Sequence, residues 1–100
     1  MITGIYSDKN ATPSRFSLSQ NYPNPFNPST VIQFNLSSSG FATLKVYDVL
    51  GRKVKTLVNN VEQPGDHSVT FNAERLPSGV YFYRLQAAAY SQTRKLLLLK

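Results

Sequence analysis

The sequence contains no cysteine and no tryptophan among its 100 residues, and only one methionine and one histidine. Without cysteine, the chain has no disulfide framework, no thiolate nucleophile and no cysteine-based metal site. A domain of this size can bury roughly two-thirds of the surface of its unfolded chain, so packing alone must hold it together. With 41% hydrophobic and 16% charged residues, the composition is typical of one globular domain rather than a disordered chain.

Acidic groups and histidine, the usual catalytic side chains, are scarce. The acids are Asp8, Asp48, Glu62, Asp66 and Glu74, and the one histidine is His67. Asp66 and His67 are adjacent, so in a strand they point to opposite faces and cannot act together. Neither a phosphate-binding glycine loop, nor a nucleophile elbow, nor a transition-metal ligand set is present in the sequence. We therefore predict a non-enzymatic domain with no catalytic, cofactor-binding or metal-binding residues.

The net charge of +6 comes from cations that are scattered along the chain. Only Arg52, Lys53 and Lys55 form a cluster, directly after a turn that contains glycine. No basic helix and no aromatic–basic RNA-binding signature accompanies them, so the sequence does not indicate a nucleic-acid partner. Lysines in such a place are typical of a solvated edge strand, and contact with an anionic surface is the alternative. An exposed edge also leaves open a weak dimer through that strand.

Apolar and polar residues alternate with a period of two beyond residue 16, and turn residues recur at intervals of about ten. This pattern favours an immunoglobulin-like antiparallel β-sandwich of about seven strands, an all-β fold. Helical periodicity is absent beyond a single turn, which we place at residues 72–76. The side chains predicted to face one way are Ile32, Phe34 and Leu36 in one strand and Ala42, Leu44 and Val46 in the next.

Two glycines and two tyrosines carry the most fold-specific signals. Gly51 follows Val49 and Leu50 at a predicted hairpin turn, where it supplies a positive φ. Gly79, Tyr81 and Tyr83 have the spacing of a tyrosine corner. We therefore expect the Tyr81 hydroxyl to bond to the backbone a few residues upstream. Tyr83 takes the place where antibody domains carry a disulfide cysteine.

The segment from Gln20 to Pro28, which we call the Pro/Asn loop, is the most distinctive stretch of the chain. Each proline fixes its own φ and favours an extended conformation in the residue before it. Asparagine side chains bond readily to nearby backbone groups. We predict a stiff loop in which Tyr22 and Phe26 are both buried against the sandwich, whereas Asn24 faces polar partners between Pro23 and Pro25.

From about residue 16 to residue 100, these blocks resemble the type A C-terminal sorting domain of proteins exported by the bacterial type IX secretion system. That family is related to the flagellar hook-capping sandwich domain. Phe71 stands where the family more often has tryptophan, and Ser37 stands where it often has proline. The matching blocks are Tyr-Pro-Asn-Pro-Phe-Asn-Pro at 22–28, the strand at 29–36, Val-Tyr-Asp-Val-Leu-Gly-Arg-Lys-Val at 46–54, Pro-Gly-Asp-His-Ser-Val-Thr-Phe at 64–71, Leu-Pro-Ser-Gly-Val-Tyr-Phe-Tyr-Arg-Leu at 76–85, and the closing strand at 95–100.

The resemblance implies a non-catalytic sorting signal that directs a fused cargo protein through the type IX outer-membrane machinery. It further implies an upstream cargo domain, a sortase-like protease that removes the domain on export, and a secreted or cell-surface destination reached through the periplasm. The alternative is a structural or carbohydrate-binding immunoglobulin-like accessory module of a secreted enzyme. A carbohydrate site would need an aromatic platform, for which Tyr47, Tyr81, Tyr83 and Tyr90 are candidates, although tryptophan is missing.

The two ends of the sequence complete the expected organisation. Residues 1–15 are polar and contain Thr12-Pro13-Ser14, which is typical of a linker, so we place the sorting domain at residues 16–100. The predicted recognition residues of the closing strand are Lys95, Leu96, Leu97, Leu98, Leu99 and Lys100, beside Tyr22, Pro23, Asn24, Pro25 and Phe26 of the Pro/Asn loop. Four consecutive leucines place apolar side chains on both faces of a strand. Either Leu96 and Leu98 or Leu97 and Leu99 must pack into the sandwich, and the other pair is left for a receptor or is covered by the linker or the parent protein.

Overall fold

The fold, described by a computed structural model for residues 16–100, is all-β over that range. The predicted linker at residues 1–15 lies outside the described residues. Among residues 16–100, no helix is long and apolar enough to cross a membrane. The strands are β1 (Ser17–Leu18), β2 (Ser29–Leu36), β3 (Gly40–Tyr47), β4 (Lys53–Glu62), β5 (Gly65–Asn72), β6 (Gly79–Ala87) and β7 (Tyr90–Leu98).

The seven strands form two antiparallel sheets, which confirms the predicted β-sandwich. One sheet has three strands in the order β1-β2-β5, and the other has four in the order β4-β3-β6-β7. The chain changes sheets between β2 and β3, through residues 37–39, between β4 and β5, and between β5 and β6. Consecutive strands therefore lie in different layers at these three connections, as they do in immunoglobulin-like sandwiches.

The core lies between the sheets and is built from the side chains that the alternating pattern places inward. Buried hydrophobic side chains extend over β2, β3, β6 and β7, and Ile32, Leu44 and Leu85 are fully buried. Phe71 of β5 is also fully buried. The predicted inward sets of β2 and β3 are thus confirmed. Packing of this kind stabilises the domain in the absence of disulfides.

Of two predicted turns, the one at Gly51 has the expected geometry and the one at residues 72–76 differs from the expectation. Gly51 has a φ of 83° in the β3–β4 turn, as expected for this position. The Gly51 amide donates to the carbonyl of Asp48 at 2.9 Å. Residues 73–76 form a hydrogen-bonded turn through the Leu76 amide and the Ala73 carbonyl, at 3.0 Å, in place of the helical turn that we expected.

Strand β4 is an outer strand of the four-stranded sheet, and it carries Lys53 and Lys55, both exposed. The expected lysine-protected edge is therefore present. The pairing of β3 with β4 is also interrupted by two register shifts, at Leu44/Lys45 and at Val46/Tyr47. Such irregularities and exposed charges both discourage a second chain from pairing with this edge.

Candidate functional site: the Pro/Asn loop on the closing strand

The Pro/Asn loop and the closing strand, which are far apart in sequence, lie side by side in the fold. Phe26 and Leu98 form an isolated parallel bridge. The Phe26 amide donates to the Leu97 carbonyl at 3.0 Å, and the Leu99 amide donates to the Phe26 carbonyl at 3.0 Å. The two segments predicted for recognition, residues 22–26 and 95–100, are therefore joined through this bridge, and we call the two segments together the composite site.

Side chains of the Pro/Asn loop add further hydrogen bonds to the outer edge of β7. The Leu97 amide donates to Oδ1 of Asn24 at 3.0 Å. Gln20 Nε2 donates to the Lys95 carbonyl at 2.7 Å, and Arg94 Nε donates to the Leu18 carbonyl at 2.5 Å. An outer strand normally offers its free backbone groups to another chain. Here the groups of residues 95, 97 and 99 that face the loop are already bonded to it.

The Pro/Asn loop is also held from within the sandwich by Tyr83 of β6. The Tyr83 hydroxyl accepts from the Asn21 amide at 2.8 Å and donates to the Ser19 carbonyl at 2.7 Å. Tyr83 is fully buried. Burial raises the pKa of Tyr83, while the bond from the Asn21 amide and the charge of Arg94 partly oppose that rise. Tyr83 therefore fixes the start of the loop by two hydrogen bonds.

A small buried polar cluster, which the sequence reasoning missed, stabilises the first turn of the loop. Asn21 and Thr30 are 2% and 1% exposed. Asn21 Nδ2 donates to Thr30 Oγ1 at 3.0 Å, and Thr30 Oγ1 donates to the Pro23 carbonyl at 2.8 Å. Thr30 alternates in phase with the inward residues of β2, and its burial could have been predicted from this alternation. The partnership with Asn21 has no periodic signature.

The prediction that both loop aromatics are buried is half wrong. Phe26 is 3% exposed and packs near Phe71, with ring centroids 6.0 Å apart. Tyr22 is 80% exposed, and only its backbone is engaged, by a bridge to Val31. Successive side chains of an extended segment point to opposite sides, so the buried Asn21 is followed by the outward-facing Tyr22. Phe26 therefore anchors the loop, and Tyr22 displays an aromatic ring to solvent.

The leucines of the closing strand divide between core and surface, which decides the alternative left open above. Leu96 and Leu98 are fully buried, so this pair packs into the sandwich. Leu97 is half-buried, whereas Leu99 is 50% exposed. The Lys100 amide donates to Ser78 Oγ at 3.0 Å. The accessible apolar part of the composite site is thus formed by Tyr22 and Leu99, with Pro23, Asn24 and Pro25 also exposed.

The tyrosine corner predicted for Tyr81 is present at the same end of the sandwich. The Tyr81 hydroxyl donates to the Pro77 carbonyl at 2.6 Å. Burial is the main cause that raises the pKa of Tyr81, and the negative charge of Asp48 adds to it. The corner follows Gly79, which opens β6 with a φ of 152°. A shallow groove of about 380 Å³ runs from Tyr81 and Gly79 to the exposed hairpin residues Val49 and Leu50.

The few acid and imidazole groups of the described residues have structural partners. Asp48 accepts from the amides of Leu50 and Arg52, each at 2.9 Å, and its pKa is lowered chiefly by the Arg52 amide. His67 is half-buried, with its ring stacked 5.1 Å from Phe34 and its Nε2 2.6 Å from the Gln63 carbonyl. Within residues 16–100, no three acidic or histidine side chains are grouped so that they could hold a metal ion.

The candidate aromatic platform for carbohydrate binding is not assembled. Tyr81 and Tyr83 are 5% and 0% exposed. The ring of Tyr47 lies beneath Arg84, whose guanidinium carbon is 5.3 Å from its centroid, and Tyr90 stacks on Phe16 at 5.4 Å. Sugar stacking requires open aromatic faces that lie together. These four tyrosines therefore do not favour the accessory-module alternative.

Comparison with known families finds a match to the secretion system C-terminal sorting domain over residues 20–99. No curated protein matches the sequence. Domains of this family are non-catalytic signals that interact with the type IX secretion machinery and are exported through the periplasm to the cell surface or the medium. Since the match spans the Pro/Asn loop and six of the seven strands, the chain belongs to the family of type IX C-terminal sorting domains, and it directs fused cargo through that secretion system.

Proposed function

We propose that the type IX outer-membrane machinery recognises the composite site through its exposed side chains, above all Tyr22 and Leu99. The observation that carries this proposal is the Phe26–Leu98 bridge, which joins the two expected signal segments. The backbone groups of β7 that face the loop are already bonded, so addition of a receptor strand at this edge is disfavoured. Exposed apolar side chains beside a rigid loop are the remaining means of recognition.

Variants that test this recognition must leave the hydrophobic core intact, because unfolding alone would also prevent export. Removal of residues 96–100 would delete the fully buried Leu96 and Leu98, so it would unfold the domain as well as remove the signal. Tyr22 and Leu99 are exposed by 80% and 50%, and their replacement should leave the free energy of unfolding nearly unchanged. The double variant Tyr22→Ser/Leu99→Ser is therefore the appropriate probe.

The chain also supplies a matched control for this variant. Phe41 and Val61 pair across β3 and β4 and are 57% and 62% exposed. They lie at the opposite end of the four-stranded sheet, since Ala42 pairs with the last residue of β6 and Leu98 with the first. We expect a reporter fused to Tyr22→Ser/Leu99→Ser to remain in the periplasm of a type IX-competent host, and a reporter fused to Phe41→Ser/Val61→Ser to be exported. Normal export of the first fusion, or equal retention of both, contradicts the proposal.

The proposal extends to the fate of the domain, which we take to be residues 16–100 without catalytic activity of its own. A sortase-like protease then separates it from the upstream cargo domain on the N-terminal side of Phe16. Support comes from Phe16, which stacks on Tyr90, and from β1, which begins at Ser17. A cut beyond these residues would remove part of the sandwich. Mass spectrometry of the fragment released in a type IX-competent host should find an N-terminus at or before Phe16, and a fragment that begins beyond Leu18 would overturn this boundary.

A further inference from the structure

The outward side of the four-stranded sheet carries a concentrated set of positive charges. The register aligns Lys95, Phe82, Tyr47 and Lys53 in one row across β7, β6, β3 and β4. The next row contains Arg84 and Lys45 as direct neighbours. Core residues such as Val46 and Tyr83 point to the other side of the sheet, so these cations share the outer face. We call the cations Lys45, Lys53, Arg84 and Lys95 the basic face.

No acidic side chain of the described residues shares this face. Asp48 lies in the β3–β4 turn and pairs with Arg52, and Glu62 pairs with His67 on the inner side. Within residues 16–100, these are the contacts shorter than 4 Å between a basic or imidazole nitrogen and a carboxylate oxygen, and neither involves the basic face. The four cations therefore reinforce one another in a single field.

The outer face of the three-stranded sheet has the opposite character. Its only charged residue is Asp66, and the remaining positions are uncharged. The outward residues there are Ser17, Ser29, Val31, Gln33, Asn35, Asp66, Ser68, Thr70 and Asn72. The sandwich is thus electrostatically polarised, with four cations on one broad face and one anion on the other. A lysine-protected edge alone would not require this separation.

We propose that the basic face docks on an anionic, phosphate-bearing lipid surface. Lys95 and Lys53 are separated by three strand spacings, about 14 Å, so the charges spread over a flat area rather than converge on one group. Three of the four cations are lysines, which act as point charges suited to a diffuse phosphate field. The Arg84 guanidinium is stacked on Tyr47 rather than presented as a fork for a protein carboxylate. Half-buried Tyr47 and Phe82 lie between the lysines, as aromatic residues do at membrane interfaces.

The test uses the full 100-residue chain and vesicles made either of phosphatidylglycerol and phosphatidylcholine in equal parts or of phosphatidylcholine alone. Each cation near an anionic bilayer contributes roughly 1 kcal/mol, which corresponds to about a fivefold change in partition coefficient. Lys53→Gln/Lys95→Gln should therefore weaken binding to the anionic vesicles by about 25-fold. Binding of the unmodified chain should also weaken steeply when salt shortens the Debye length below about 8 Å.

Lys55 and Arg75 provide a charge-matched control. They line a groove near the β4 and β5 side of the sandwich, away from the basic face. The variant Lys55→Gln/Arg75→Gln has the same net charge as Lys53→Gln/Lys95→Gln, and we expect it to bind within about threefold of the unmodified chain. Equal weakening by both variants would show that only net charge matters and would overturn the proposal. Equal binding to both kinds of vesicle, or absence of binding to either, would overturn it as well.

Discussion

Tyr83 and Asn21 are joined by a hydrogen bond of 2.8 Å between a buried hydroxyl and a backbone amide of the Pro/Asn loop. The same hydroxyl donates to Ser19, so one side chain of β6 satisfies two backbone groups of the segment that leads into the loop. The composite site depends on this bond, because the loop must follow a fixed course to reach Leu98. Removal of the hydroxyl is therefore the most direct way to loosen the site from inside.

Tyr83→Phe should lower the free energy of unfolding by about 1–3 kcal/mol, because the Asn21 amide and the Ser19 carbonyl would be left without their partner. Urea denaturation measures the loss. Tyr47→Phe is the control, since Tyr47 lies half-buried on the outer face. This replacement should change the free energy of unfolding by less than about 0.5 kcal/mol. Equal midpoints for Tyr83→Phe and the unmodified chain would contradict this role.

Tyr81→Phe should cost on the order of 1 kcal/mol, because it removes the corner bond to Pro77. The loss should be smaller than for Tyr83→Phe, since Tyr83 bonds to two backbone groups and Tyr81 to one. The same urea series gives the comparison, with Tyr22→Phe as the exposed tyrosine that should have no effect. A larger loss at Tyr81 than at Tyr83 would reverse the order proposed here.

The two aromatics of the loop should respond in opposite ways to substitution. Phe26→Ala removes a buried ring that packs near Phe71, so it should destabilise the domain by about 3–5 kcal/mol. Tyr22→Ala should change stability by less than about 0.5 kcal/mol, since its side chain is 80% exposed. Thermal or urea unfolding of the two variants distinguishes a side chain that stabilises the loop from one that is exposed to solvent. A strongly destabilised Tyr22→Ala would show that the Tyr22 side chain contributes to packing, which contradicts its exposure.

The raised pKa of Tyr83 predicts a loss of stability at alkaline pH. Tyrosine in an unfolded chain has a pKa of about 10, and burial favours the neutral hydroxyl in the folded state. This contribution is complete below pH about 10 and is lost as the pH rises through the folded-state pKa, because the unfolded chain releases the proton first. Tyr83→Phe should therefore lose less stability than the unmodified chain as the pH rises above about 10. If the urea midpoints of Tyr83→Phe and of the unmodified chain fell in parallel with rising pH, ionisation of Tyr83 would not be the cause of the alkaline loss of stability.

Gly51→Ala should destabilise the β3–β4 turn by about 1–2 kcal/mol, because a Cβ is disfavoured at a φ of 83°. Gly51→Asn should lose less, since asparagine tolerates the left-handed region better than alanine. There is no neighbouring atom within 4 Å of a Cβ built at this glycine, so backbone conformation rather than crowding sets the difference. If alanine and asparagine were equally tolerated, the turn would not depend on positive φ.

The strands, the inward faces of β2 and β3, the Gly51 turn and the Tyr81 corner could be predicted from the sequence because each depends on neighbours within a few residues. Period-two alternation placed Ile32 and Leu44 in the core, and short spacing linked Tyr81 to Pro77. The exposure of Tyr22 could not be predicted in this way, since the flanking prolines stiffen the backbone without fixing which side chain points inward. The bonds of Tyr83 to Ser19 and Asn21, and of Asn24 to Leu97, join distant parts of the chain and leave no periodic signal.

Gln20 and Lys95, joined by a hydrogen bond across the composite site, are 75 residues apart in the chain. Contacts of such long range form late, because the entropy of closing the intervening loop must first be overcome. The composite site therefore does not exist in a chain whose synthesis stops before the last strand, nor in one that has not folded. If the machinery recognises this surface as proposed above, it distinguishes a complete, folded sorting domain from a truncated or unfolded one, so the same contact would serve both as an address and as a checkpoint for export.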